Sequence, residues 1–191
     1  FRALDGEVIH LSSFSKRLIP GIRVGYVIVP SALRAPMRSL HRVVALGSSA
    51  ILQHALAEFM ERGYLRAHMT RVTREYRARR DALVDTLERS MPEGVRWHVP
   101  THGIVLWLEL PTELDPDAVF EEALRQGVHV NPSPMWTVNP ALANGVRLTF
   151  CAESQERVVE GARRLAKALK TLLAQASRSG PSERANVLEA V

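Results

Sequence analysis

Between residues 64 and 90 the apolar side chains Leu65, Met69, Val72, Tyr76, Leu83 and Leu87 recur at intervals of three, four or seven. That spacing lines them along one face of an α-helix about 40 Å long, and such a face is stable only when another layer packs on it. "IRVGYVIVP" (22–30) points to the kind of layer. It is a near-continuous apolar run with β-branched residues, bounded by Gly21 and Pro30, and predicts a buried strand of an α/β sheet. Arg79 and Arg80 fall where the helical stripe should continue. One of them must snorkel or meet a carboxylate, because an unpaired buried guanidinium is very costly.

The remaining punctuation divides the chain. "EVIHLSSFS" predicts a strand at 7–11 entering a loop that carries Lys16. Ser31 is a plausible N-cap for a helix over 32–46, and a second helix over 48–62 stops at Gly63. Pro92-Glu93-Gly94 then ends the long helix, and the texture changes to short alternating elements, so a domain boundary is expected there. "VRWHVP" (95–100) and "IVLWLELP" (104–111) predict two strands, and "VHVNP" (128–132) and "VRLTFC" (146–151) two more. Asp115-Pro116 and Gly127 frame a helix with Val119, Phe120, Ala123 and Leu124 inward. A last amphipathic helix over 154–174 carries Val158, Ala162, Leu165, Leu169 and Leu172. Residues 1–92 are thus expected to form one α/β domain or part of one, 93–175 a small α/β sandwich, and 176–191 a disordered tail.

Composition removes several function classes. No run of about 18 apolar residues spans a bilayer and no signal-peptide pattern opens the chain, so a cytoplasmic protein without a membrane partner is expected. The single cysteine, Cys151, cannot form an internal disulfide and is expected buried and inert. The seven histidines lack metal-site spacing, so no metal is assigned. The net charge of +5 comes mostly from arginines, many beside acidic residues at helical positions. Those between Arg62 and Arg80 run all round the helix without interleaved aromatics, which reads as a solvated face or subunit interface rather than a nucleic-acid surface. The chain opens on Phe1, close to a strand, and is read as a piece of a longer polypeptide.

The chemistry concentrates in "SSFSKRLIPGIRVGY" (12–26). A phosphate monoester is held by hydroxyl donors, backbone N–H groups and a guanidinium that donates two bonds in a fork, and Ser13, Ser15 and Arg23 fit that task. Lys16 could be one more phosphate ligand, but in a loop beside buried strands its amine can also act as a nucleophile. A phosphate-bearing aldehyde uses both features at once, and pyridoxal 5′-phosphate (PLP) is such a molecule.

The pattern S-x-S-K-x-x-x-P-G-x-R-x-G-Y resembles the lysine segment of the fold-type I PLP-dependent aminotransferases of class I and II. "YRARRDAL" (76–83), "GIVLWLELP" (103–111) and "GVRLTF" (145–150) resemble later landmarks of that family in the same order, so the likeness covers about residues 5–175. The resemblance implies the second half of the family's large domain over 1–92, followed by its small C-terminal domain. It implies that Lys16 forms a Schiff base with PLP and carries the proton, that Ser13, Ser15 and Arg23 hold the phosphate, and that Arg147 binds the substrate α-carboxylate. It implies amino-group transfer between an amino acid and a 2-oxo acid, in a homodimer.

Two departures stand out: Thr101-His102-Gly103-Ile104 replaces the family's Gly-Gly-Met-Phe-like residues, and Pro132-Ser133-Pro134 its usual Pro-Gly. The family's ring-binding residues lie N-terminal to the lysine and have no counterpart in this chain, so these 191 residues alone are expected to bind PLP poorly and to be inactive. "GYLRAHMTRVTREYRARRDAL" also resembles GntR/MocR-type regulators, in which such a domain senses PLP behind an N-terminal winged helix; DNA is a partner only in that case. Arg147, which many such regulators lack, favours the enzyme.

Overall fold

The computed structural model of the chain describes residues 8–138 and 144–178. Two compact units divide between Val72 and Thr73. The division falls inside a helix, α3 (Tyr64–Ser90), whose later turns supply Leu83 and Leu87 to the core of the second unit.

In the first unit β1 (His10–Ser13) pairs antiparallel with β2 (Gly25–Ile28), with His10 opposite Ile28 and Ser13 opposite Gly25. Gly25 is required there, since a Cβ would stand 2.9 Å from the Ser12 carbonyl oxygen. Two helices follow, α1 (Arg34–Ala45) and α2 (Ala50–Glu61). The expected Ser31 cap is not used. Ser31 opens a short 3₁₀ turn (Ser31–Leu33), and α1 starts from Leu33 with no side-chain cap. Ser49 does cap α2, accepting from the Leu52 N–H. Gly63 ends that helical stretch with φ +76°, a conformation glycine adopts without a Cβ penalty.

The buried strand expected from 22–30 is not buried. Val27 and Ile28 are exposed, as is Leu11 on β1, because among the described residues the pair has no third strand; Val43 and Val44 on α1 are exposed too. Among the described apolar residues of this unit only Phe14 and Leu56 are buried.

The second unit is a two-layer α/β sandwich. Its antiparallel sheet has the order β3 (Arg96–Trp97), β4 (Val105–Glu109), β6 (Gly145–Thr149), β5 (Asn131–Pro132). Period-two alternation sends Leu106, Leu108, Val146 and Leu148 to one face. There they meet Leu83 and Leu87 of α3, Val119 and Ala123 of α4 (Pro116–Arg125), and Val158, Leu165 and Leu169 of α5 (Gln155–Arg178). Full burial of each large side chain contributes about 1.5–3 kcal/mol. Asp115 caps α4 as expected, accepting from the N–H groups of Asp117 and Ala118 at 2.7 and 3.1 Å.

Four expectations need correction. Leu124 faces solvent, since it falls off the α4 stripe that Val119 and Ala123 define, and Phe120 is only half-buried. The expected strands at 95–100 and 128–132 shorten to two residues each, at Arg96–Trp97 and Asn131–Pro132. The last helix continues through Arg178 instead of ending near 174; the rest of the expected tail, 179–191, lies outside the described residues. Cys151 is half-buried, not buried. Its carbonyl accepts from Arg79 at 2.7 Å. Arg80 donates to the Pro100 carbonyl at 3.1 Å and pairs with Asp81 at 2.6 Å, so both arginines of the interrupted stripe are satisfied. No described helix is long and apolar enough to cross a membrane.

Candidate functional site

The first unit carries the lysine in a turn built by the backbone. The Phe14 N–H donates to the Val24 carbonyl at 3.0 Å, extending the β1–β2 pairing by one rung. The Phe14 carbonyl then accepts from Arg17 and Leu18, which closes a helical turn around Lys16. Phe14 is buried against Tyr26, ring centroids 5.6 Å apart, and this contact fixes the base of the turn. Ser13 Oγ accepts from the Ser15 N–H at 3.1 Å, a local turn bond that leaves the Ser13 hydroxyl proton to donate elsewhere.

On the returning chain Arg23 follows a 3₁₀ turn (Pro20–Ile22) with φ 48°, in the left-handed region where a non-glycine residue is uncommon. Ser13, Ser15, Lys16 and Arg23 thus share one end of the strand pair. Lys16 and Arg23 are exposed. Among the described residues no element of this unit covers the turn.

On the far side of the turn His68 of α3 shares a hydrogen bond with the Arg17 carbonyl at 3.0 Å. A cavity of about 300 Å³ lies between Leu18, Ile19 and Ile22 and the Leu52, Leu56 and Phe59 side of α2.

The same segment has a one-sided charge. From Val8 to Ala57 there is no aspartate or glutamate, while Lys16, Arg17, Arg23, Arg34, Arg38 and Arg42 are all cationic. An anion meeting this stretch encounters attraction without a competing carboxylate on the same segment.

The second unit carries Arg147 in the middle of β6. Trp107 of β4 and Asn131 of β5 stand directly opposite it, so all three share the sheet face turned away from the core. Two residues before Arg147, Gly145 lets β6 come close: a Cβ there would lie 2.6 Å from the Leu108 carbonyl and 2.8 Å from the Trp107 indole. After β5 the Ser133 carbonyl accepts from the Trp136 and Thr137 N–H groups at 2.8 and 3.1 Å, and this 3₁₀ turn (Ser133–Met135) returns the chain toward β6. Trp136 then lies over Arg147, its ring centroid 3.3 Å from the guanidinium carbon.

Among the described residues Arg147 makes no ion pair and no hydrogen bond, and its Nε is buried without a partner, a condition costing about 1–3 kcal/mol. Among the described residues the other buried side-chain atom in that state is Thr137 Oγ1, next to Trp136. Sequence reasoning found Arg147 but not Trp136; the only signal was an aromatic four residues after Pro132, and its partner is set by strand register. No group of histidine, cysteine or carboxylate side chains among the described residues could hold a metal.

Residues 3–165 match the family model described as aminotransferase class I and II. The aromatic-amino-acid aminotransferase 1 of Thermococcus litoralis is 32% identical over 166 residues, which is 87% of this chain and 40% of that protein. An uncharacterized HTH-type transcriptional regulator of Bacillus subtilis, YisV, is 30% identical over 88% of this chain and 34% of its own length. Among solved structures, the α-aminoadipate aminotransferase LysN of Thermus thermophilus, complexed with N-(5′-phosphopyridoxyl)-L-leucine, superposes with a TM-score of 0.80 at 34% identity, covering 88% of this chain and 43% of LysN. The chain therefore spans about two fifths of the length of the aminotransferases it matches.

Proposed function

The chain belongs to the class I and II aminotransferases, and from that membership we propose that it supplies the lysine, the phosphate-holding side chains and the carboxylate clamp of a PLP-dependent aminotransferase. The observation that carries the proposal is the Lys16 turn. Two hydroxyls, an amine and a guanidinium share one end of a strand pair, on a stretch with no carboxylate. That donor set suits a phosphate monoester, which carries close to two negative charges at neutral pH.

In this reading Ser13 and Ser15 donate hydroxyl bonds to the phosphate and Arg23 forks onto it. Once bound, the cofactor supplies an electron sink for bond breaking at the substrate Cα. Lys16 would hold the cofactor through its uncharged Nζ and, once the substrate amine has displaced that Nζ, would accept the proton released from the substrate Cα. Arg147 receives the α-carboxylate in a two-bond fork, a task for which a planar, permanently charged group suits better than an ammonium. Residues 1–92 are part of the cofactor-binding domain and 93–175 the small domain. The intact protein is a cytoplasmic homodimer acting on amino acids and 2-oxo acids, with no membrane partner.

A second reading rests on the likeness to YisV: the same turn holds PLP as an effector in a GntR/MocR-type regulator, with DNA as partner through a winged helix. Amino-acid turnover by the full chain favours the enzyme; PLP-dependent operator binding without turnover favours the regulator.

The covalent claim is tested by borohydride reduction of the PLP-loaded full chain followed by peptide mass analysis. These 191 residues contain three lysines, Lys16, Lys167 and Lys170. A pyridoxyl mass on Lys16, lost in Lys16→Ala, is expected. A label on either other lysine with Lys16 unmodified overturns the proposal.

A further inference from the structure

Arg147 has an aromatic neighbour whose geometry gives it a task. The guanidinium carbon sits 3.3 Å from the Trp136 ring centroid, which is face-on van der Waals contact. A guanidinium makes its hydrogen bonds in its own plane and stacks through its face, so the indole occupies Arg147 without using any of its N–H donors. Among the described residues no carboxylate and no hydrogen-bond acceptor holds this side chain, and its Nε is buried and unpaired. The indole is therefore the contact that selects a conformation for the guanidinium.

The sequence builds this contact with local devices. Asn131 pairs with Arg147 and Pro132 with Val146, which fixes the register of β5 on β6. Pro132 and Pro134 restrict the turn, and the buried Ser133 closes it with its carbonyl. Trp136 is brought back over the residue that Asn131 faces.

We propose that Trp136 is a positioning residue for carboxylate recognition: its indole pre-orients the Arg147 guanidinium and leaves the Nη edge for an incoming carboxylate. This rests on the reading of Arg147 as the carboxylate clamp. An arginine on a strand has rotamer freedom that must be given up on binding, and the stack removes most of that freedom beforehand. The effect falls on affinity for ligands that carry a carboxylate and spares the corresponding amines.

The test uses the full chain loaded with PLP and three variants, Arg147→Ala, Trp136→Leu and Trp136→Phe. Calorimetric titration with 3-phenylpropionate and with phenethylamine separates carboxylate from amine recognition. Steady-state turnover, where present, gives KM and kcat. Trp136→Leu is expected to weaken 3-phenylpropionate by about tenfold while phenethylamine is unchanged, and to raise KM for amino acids more than it lowers kcat. Trp136→Phe, which keeps a ring face, should stay within about threefold of wild type.

If Trp136→Leu binds the carboxylate as wild type does while Arg147→Ala loses it, the positioning role is wrong and the clamp survives. If Arg147→Ala retains the carboxylate, or wild type does not bind it, the clamp itself is wrong and this proposal falls with it. Equal losses for acid and amine in Trp136→Leu mean a merely structural role. Should that variant not fold, Trp136→Met, also without an aromatic face, takes its place under the same outcomes.

Discussion

Arg23 holds two jobs that oppose each other. Its φ of 48° places an L side chain in a conformation costing about 1–2 kcal/mol, while in the proposed function its guanidinium holds the phosphate. Glycine at that position relieves the backbone and removes the charge. Arg23→Gly should therefore raise the unfolding free energy measured in urea modestly, by up to about 1 kcal/mol, while weakening PLP binding by tenfold or more. Equal stability and unchanged affinity would mean that the left-handed conformation costs nothing here and that the side chain faces no anion. Gly145 is the reverse case: its missing Cβ makes room for the Trp107 ring and the Leu108 carbonyl, so the strand that presents Arg147 depends on an atom that is not there.

The elements differ in how openly the sequence announces them. The α4 cap was legible because Asp115-Pro116 acts on its own first turn, and α5 because its stripe repeats for about four turns, from Val158 to Leu172. The Lys16 turn was legible for the same reason: its donors lie within eleven residues, and the hydroxyl, amine and guanidinium chemistry is local. The Trp136–Arg147 contact was not, because it needs the register of β5 against β6, which no short motif encodes. The exposure of β2 was hidden too, since an apolar run states what a strand wants covered and not whether a cover lies within the chain.

Buried Glu122 on α4 gives an element-scale prediction. A hydrogen bond from the Gln126 side chain, reinforced by Arg125, holds its carboxyl below the ordinary value of 4.5. A lowered folded value means stability that is fully present above 4.5 and is lost as pH falls through the folded value. The melting-temperature gap between wild type and Glu122→Gln should shrink on acidification below 4.5; a gap independent of pH would show that the carboxylate charge is not what these partners hold.

On the scale of the whole molecule the burial is lopsided. The main hydrophobic cluster draws its fully buried side chains from Leu83 to Leu169, whereas the first unit buries Phe14 and Leu56 and leaves Leu11, Val43, Val44 and Ile51 exposed. Residues 73–178 expressed alone should thus unfold cooperatively in urea, and residues 8–72 alone should show no sharp transition, because an isolated strand pair with two helices cannot offset the entropy of ordering them. A cooperative melt of the shorter piece would overturn this account. The order of manufacture adds a further consequence. At about 5–20 residues per second a ribosome needs roughly 7–30 s to travel from the β1–β2 hairpin to Leu169. Leu11, Val43, Val44 and Ile51, exposed in the first unit as it stands, meet water throughout that interval beside the translating machine, which makes the newborn chain a natural client for holding chaperones.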